Sequence, residues 1–132
     1  MIHIKYKLNK SNVHGIGLFA DQDIKKGQLI YTASPLLDVN IDERQFNSLS
    51  KSEQEEILYW GFWIENEQVW HVDFDVSKFI NHSDEPTVTQ DSKREEAYLI
   101  AVRDVKNGEE LTQNYLEFED EKALKARGIN LV

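Results

Sequence analysis

Cysteine is absent from the 132 residues, which excludes disulfide bonds and thiolate zinc sites but leaves the redox compartment open. Long apolar runs are absent too. No stretch approaches the length that spans a bilayer, and the opening Met1-Ile2-His3-Ile4-Lys5-Tyr6 alternates polar and apolar residues where a secretory signal needs an unbroken apolar run. The expected location is therefore the cytoplasm, with no membrane partner. Basic residues are in deficit, with 15 Lys and Arg against 24 Asp and Glu and a formal net charge of −9. Lys and Arg carry binding to phosphates, so no direct contact with nucleic acid is expected. The acids gather in Glu53–Glu56, Asp73–Asp75 and Glu117–Glu121. They either solvate an ordinary surface or line a groove that attracts a basic peptide.

What is present argues for one folded domain. Hydrophobic residues make up 40% and aromatics 11%, enough for a single core in a chain of this length. Residues 2–8 read as a strand with Ile2, Ile4, Tyr6 and Leu8 on one face by period-two alternation. After the turn cluster Asn9–Asn12 comes Val13-His14-Gly15-Ile16-Gly17-Leu18-Phe19-Ala20, in which two glycines precede a short apolar strand. Glycine permits a positive φ or a close backbone approach. The loop is thus a tight turn or a cradle of amides for a small anionic group. An internal echo follows: Ala20-Asp-Gln-Asp-Ile-Lys-Lys-Gly27 matches Ala101-Val-Arg-Asp-Val-Lys-Asn-Gly108. Two copies are too few for a solenoid, so they are read as similar turns leading into strands at Leu29–Ala33 and Leu111–Tyr115.

Pro35 closes the strand after the first echo, and the pattern changes period between Asp42 and Trp60. Ser50-x-x-Glu53 and Ser52-x-x-Glu55 are both capping boxes, so one of them starts a short helix that carries Ile57 and Leu58 inward and stops at Gly61. Phe62–Ile64 and Val69–Val72, joined by Glu65-Asn-Glu-Gln68, form a predicted hairpin. Tyr59 and three tryptophans lie close together here, as core rings or as the walls of an aromatic channel. Further strands are expected at Thr87–Gln90 and Ala97–Arg103, and a capped helix at Asp120–Arg127 with Gly128 as its stop.

Chemistry concentrates in Lys78-Phe-Ile-Asn-His-Ser-Asp-Glu-Pro86. Asn81, His82 and Ser83 place an amide, an imidazole and a hydroxyl directly behind the apolar pair Phe79-Ile80. Each costs about 1–3 kcal/mol if buried without a partner. A capped turn accounts for Asn and Ser; a binding site accounts for all three. Gly108-Glu-Glu-Leu-Thr-Gln-Asn-Tyr115 ends in a tyrosine whose hydroxyl is either amphipathic packing or aimed into a site. His3, His14 and His71, with Asp73, are scattered over separate segments and read as ordinary histidines, with no metal expected.

Gly15-x-Gly17, Asp23-Ile-Lys-Lys-Gly27, Phe79-Ile-Asn-His-Ser-Asp-Glu-Pro86 and Gly108-Glu-Glu-Leu-Thr-Gln-Asn-Tyr115, in that order, resemble the SET domain of protein lysine methyltransferases. The resemblance covers about residues 3–118. It implies a mainly β fold with short helices, built of several small antiparallel sheets, in which the Asn-His-Ser segment and the tyrosine strand pass through a knot-like C-terminal crossing. Residues 1–118 would be the SET domain, and 119–132 a C-terminal helix packed on or closing the site. The implied methyl donor is S-adenosyl-L-methionine and the implied substrate a lysine in a protein or basic peptide. By the same resemblance, Gly15, Ile16, Gly17, Asn81 and His82 hold the cofactor, Tyr115 is catalytic and contacts it, and Gln113, Phe118 and Trp63 border the substrate channel. The family's usual cysteine after Asn-His-Ser is Asp84 here, its asparagine after the proline is Thr87, and its aromatic two places before the tyrosine is Gln113. Thr32-Ala33 stand where many members carry an aromatic. The cysteine-rich tail that follows many SET domains has no counterpart, as in compact viral members that work as dimers, so a homodimer is expected. The alternative is a non-catalytic SET-fold module holding a basic partner.

Overall fold

The computed structural model describes residues 1–126. The strands are β1 Tyr6–Lys10, β2 Ile16–Ala20, β3 Leu29–Thr32, β4 Val39–Asp42, β5 Phe62–Ile64, β6 Val69–Val72, β7 Asn81–His82, β8 Val88–Gln90, β9 Tyr98–Ala101 and β10 Glu110–Gln113. The helices are α1 Glu43–Ser48, α2 Lys51–Trp60 and α3 Glu121–Ala126, and single 3-10 turns lie at Val76–Phe79 and Tyr115–Glu117. The fold is mainly β with few short helices, as expected. Two compact units emerge. One combines Met1–Ser34 with Asp75–Asn114; the other combines Pro35–Phe74 with the segment that begins at Tyr115.

In the first unit, strands run in the order β1-β2-β10-β8-β9-β3, with β7 also paired to β10. Pairing is antiparallel except at β10, which runs parallel to β7 and β8. The core is Leu18, Ile24, Ile30, Val88, Leu99, Val105 and Leu111, packed with Ile4, Ala20, Tyr31, Ile80 and Ala101. Leu18, Ile30, Val88, Leu99 and Leu111 are inward positions of short strands, and Ile24 and Val105 meet in an isolated bridge.

The echoed segments pair with each other. Ile24 and Val105 exchange both backbone bonds, the N–H of Gly27 donates to Ala101 O, and the N–H of Gly108 donates to Ala20 O. Side chains repeat the reciprocity, since Asp104 accepts from the Lys26 amide at 2.9 Å and Asp23 from the Asn107 amide at 3.0 Å. Each turn thus receives the hydrogen bonds that its twin offers, and Ile24 and Val105 are buried between them. The similarity that the sequence presents as two separate turns is one pseudo-symmetric interface.

The first strand departs from expectation. Only Ile2 and Ile4 of the alternating set are drawn in, through an isolated bridge from Ile2 to Tyr31 and the burial of Ile4. Tyr6 and Leu8 lie on β1, which pairs along one side only and stays exposed along its whole length, because neither of its faces is covered.

In the second unit, β4-β6-β5 form an antiparallel sheet. The hairpin forms as predicted, with Trp63 opposite Trp70. Ser50 caps α2 through a full box with Glu53, and Gly61 ends it. The capping box does not bring burial, however: Leu58 is exposed and Ile57 only half-buried. α1, missed in the sequence, is started by a second box between Asp42 and Gln45. Trp60, Trp63 and Trp70 are half-buried and Tyr59 is exposed, so none of the four is a closed core ring. The tail helix begins at Glu121, and the expected stop at Arg127-Gly128 falls outside the described residues. No helix among the described residues is long and apolar enough to cross a membrane.

Burial predicts where truncation is costly. Leu111→Ala, at a fully buried position on β10, should lower unfolding free energy by about 2–5 kcal/mol. Leu36→Ala, at a side chain 94% exposed, should change it by less than about 0.5 kcal/mol. Urea denaturation followed by circular dichroism checks both.

Candidate active site

Ser11 begins the construction. Its amide donates to Gly15 O at 2.8 Å, and its hydroxyl accepts from the Val13 and His14 amides, folding 11–15 into a tight loop. Gly15 sits at φ +49°, a left-handed conformation that glycine takes without strain. Gly17 serves differently. It lies within β2, where a Cβ would come 2.2 Å from Glu110 Oε1. The two glycines that look alike in sequence thus provide a turn and a space.

Glu110 fills that space. Its carboxylate accepts from the Ser11 hydroxyl at 2.7 and 2.9 Å and from Asn81 Nδ2 at 3.0 Å. Asn81 Nδ2 also donates to His14 O at 2.9 Å and Ile16 O at 3.3 Å. A capped turn would have Asn81 bond its own neighbourhood. Instead its amide ties β7 to a loop more than 60 residues away, and all its acceptors lie around Gly15-Ile-Gly17. Only Ser83 behaves as a turn former, its hydroxyl accepting from the Glu85 amide.

His82 and Gln113 face each other across the parallel β7–β10 pairing, and the Ser83 amide donates to Gln113 O. Burial pushes the His82 imidazole below its usual pKa, against the opposing charge of Asp84. The neutral form is thereby favoured. The first unit thus gathers Gly15, Ile16, Gly17 and Asn81 in one hydrogen-bonded cluster and seats His82 beside Gln113. Ser11 and Glu110 complete the cluster, and sequence reading passed over both. The available signal was the acid pair of Gly108-Glu-Glu, of which Glu109 pairs with Arg103 and Glu110 with Ser11 and Asn81.

In the second unit, Tyr115 opens a 3-10 turn and does not end a strand as expected, because β10 stops at Gln113. Its carbonyl accepts from the Phe118 and Glu119 amides. A row of rings follows: Tyr115 and Phe118 have centroids 5.4 Å apart, Phe118 and Phe62 4.5 Å, and Phe62 and His71 5.1 Å. Trp63 is fixed by its backbone, whose amide donates to the buried carboxylate of Glu119 at 2.8 Å, while its ring packs on Trp70.

His3, His14 and His71 stay apart, but the last gathers acids around it. His71 and Asp73 converge with Asp38, a residue without a sequence signal. His71 Nδ1 lies 2.6 Å from Asn40 Oδ1, and Nε2 lies 3.1 Å from Asp73 Oδ1 and 3.4 Å from Asp38 Oδ2. All three acid–base side chains are buried. Burial presses the imidazole pKa down, but hydrogen bonding to Asp73 and the charges of Asp73, Asp38 and Glu67 outweigh it and raise the value. His3 bonds Thr32 Oγ1, and the His14 carbonyl serves Asn81.

The family model described as SET domain matches residues 15–116. The chain is 32% identical over 119 residues to the variant-silencing SET domain-containing protein of Plasmodium falciparum (isolate 3D7), a match covering 83% of this chain and 5% of that protein. It is 30% identical over 122 residues to the histone-lysine N-methyltransferase trithorax of Drosophila virilis, covering 86% and 3% respectively. The chain thus spans only a small part of the length of either relative. Among solved structures it resembles ctPRC2 in an autoinhibited conformation bound to S-adenosylmethionine, with a TM-score of 0.66 and 26% identity over 95% of this chain and 17% of that one. With the match running from Gly15 through Asn81 and His82 to Tyr115, this chain belongs to the SET domain family.

Proposed function

We propose that this SET domain transfers a methyl group from S-adenosylmethionine to the side-chain amine of a lysine in a protein or basic peptide. The observation that carries the reading is the anchorage of Asn81 to the His14 and Ile16 carbonyls. It commits a partly buried amide to holding one short glycine loop in shape, which a turn does not need and a preorganised ligand cradle does. The residues fit the donor: a Cβ at Gly15 would meet no atom within 4 Å, so space lies open beside the loop backbone. Membership of the family, and the donor held by the ctPRC2 relative, support the same reading.

When bound, S-adenosylmethionine supplies an electrophilic methyl group on a sulfonium sulfur. The backbone of Gly15, Ile16 and Gly17 with Asn81 would hold its amino-acid end, and His82 would border the adenine mainly through its backbone. Ser11 and Glu110 are positioning residues that keep Asn81 and the loop in register. Tyr115 is the proposed catalytic residue, its hydroxyl orienting the reacting groups and stabilising charge, and Phe118 and Trp63 of the same unit would border the lysine. A free lysine has a pKa of ~10.4 and must lose its proton before it attacks; desolvation among aromatic side chains favours that loss. The net charge of −9 suits a basic substrate.

Two outcomes are expected. Tyr115→Phe should slow transfer of radiolabelled methyl to lysine-rich peptides by about 100-fold or more, with cofactor affinity unchanged by calorimetry. Wild-type protein that binds the donor but transfers nothing to any lysine-bearing extract would instead identify a binding module. Asn81→Ala removes the side-chain donor to two loop carbonyls and one of the donors to Glu110, which keeps Ser11; the cost is about 1–3 kcal/mol. It should weaken cofactor binding by roughly 5- to 150-fold. Gly17→Ala should do the same by displacing the Glu110 carboxylate, whereas equal affinity in all three proteins would remove the glycine loop from the cofactor site.

A further inference from the structure

Asp38, Asn40, His71 and Asp73 sit on β4, β6 and their flanking residues, drawn together because Asn40 opposes His71 in the β4–β6 register. The Asn40 amide oxygen lies 2.6 Å from His71 Nδ1 and assigns the ring proton to that nitrogen. In the neutral ring Nε2 then turns its lone pair toward two carboxylates at 3.1 and 3.4 Å, whereas in the charged ring it donates a proton to Asp73. Three electron-rich atoms converging in a buried space repel one another unless a cation lies among them. That cation is a proton or a metal ion.

We propose that Asp38, His71 and Asp73 form a binding site for a divalent first-row transition metal ion, with Zn²⁺ as its representative, and that Asn40 orients His71 toward it. The candidate donor atoms all lie within 4.8 Å of one another. Bonds of about 2.0–2.2 Å from one tetrahedral ion place neighbouring nitrogen and oxygen ligands about 3.3–3.6 Å apart, which matches the 3.4 Å to Asp38 and is slightly wider than the 3.1 Å to Asp73. Two carboxylates, a neutral imidazole and a divalent ion sum to zero. The imidazole excludes Mg²⁺ and Ca²⁺, which take oxygen ligands, and two carboxylates without a thiolate exclude soft monovalent copper. The Asn40 contact is the outer-shell hydrogen bond that metal-bound histidines make through their other nitrogen. Asp38 has its own support, as its Oδ1 accepts from the Phe74 amide at 3.0 Å. Ordering this cluster would brace Phe62, and through it the ring row that reaches Tyr115.

The test uses the full chain, treated with a chelator and then titrated with Zn²⁺ alone. The expected result is one ion bound per chain, and a thermal midpoint raised by roughly 10 °C at a hundredfold excess over the dissociation constant. Asp38→Asn and Asp73→Asn should each weaken binding at least 100-fold, and Asn40→Ala about 10- to 100-fold, while His3→Gln and His14→Gln leave it unchanged. Because the buried substitutions disturb folding as well, nitrogen NMR of the wild-type histidine rings provides an independent reading. Zn²⁺ should move the His71 Nε2 resonance and leave those of His3 and His14 in place. An Nε2 proton on His71 that persists at saturating Zn²⁺, a shift confined to His3 or His14, or no binding at all would overturn the proposal and leave a buried imidazolium bridging two aspartates.

Discussion

β10 is the strand on which the first unit depends. It holds an antiparallel partner in β2 and two parallel partners in β7 and β8, so its four residues satisfy backbone groups from three directions. Parallel neighbours cannot be reached by a short hairpin. Their presence forces the Asn81-His82 segment and the Gly108–Gln113 segment to meet from distant parts of the chain. Glu110 lies at the head of this strand, and its carboxylate joins Ser11 and Asn81. The same short element therefore organises both the core, through Leu111, and the polar cluster around the glycine loop.

The two units are held together internally by different means. The first closes a small aliphatic core and seals one end with the reciprocal turns at Ile24 and Val105, where backbone donors and two aspartates satisfy one another pairwise. The second has three short strands, two box-capped helices with exposed faces and a row of half-buried rings. Its buried polar groups, His71 with Asp38 and Asp73, and Glu119 under the Trp63 amide, are tied to backbone or to one another. Buried charge on this scale is tolerated only when each group is compensated.

Legibility in the sequence varied with the range of the interaction. The hairpin at 62–72, the Ser50 cap, the Gly61 stop and the strands after Gly15 and Gly27 rest on residues close in sequence, and they appear where the pattern puts them. α1 was equally local, with Asp42 and Gln45 in place, yet its box lacks the serine or threonine that draws attention. Tyr6 and Leu8 misled because alternation states that two faces differ, not that one of them is covered. Tyr115 misled because a strand pattern does not show where a ladder ends. In the candidate site, Gly15, Gly17, Asn81 and Tyr115 stood out by residue type and by resemblance, whereas Ser11, Glu110 and Asp38 look like surface polar residues until their partners are known.

The sequence by itself determined a cysteine-free acidic domain of short strands, its turns and caps, and a motif order sufficient to indicate the family. Each of these is written in composition or within about eight consecutive residues, where backbone preference and side-chain periodicity act without outside help. Tertiary structure alone decided that the two echoed turns bond to each other, that Gly17 makes room for Glu110 while Gly15 makes a turn, and that Asp38 joins His71 and Asp73. These depend on which distant groups arrive at hydrogen-bonding distance. Such meetings are set by strand register and chain crossing, which no local pattern encodes.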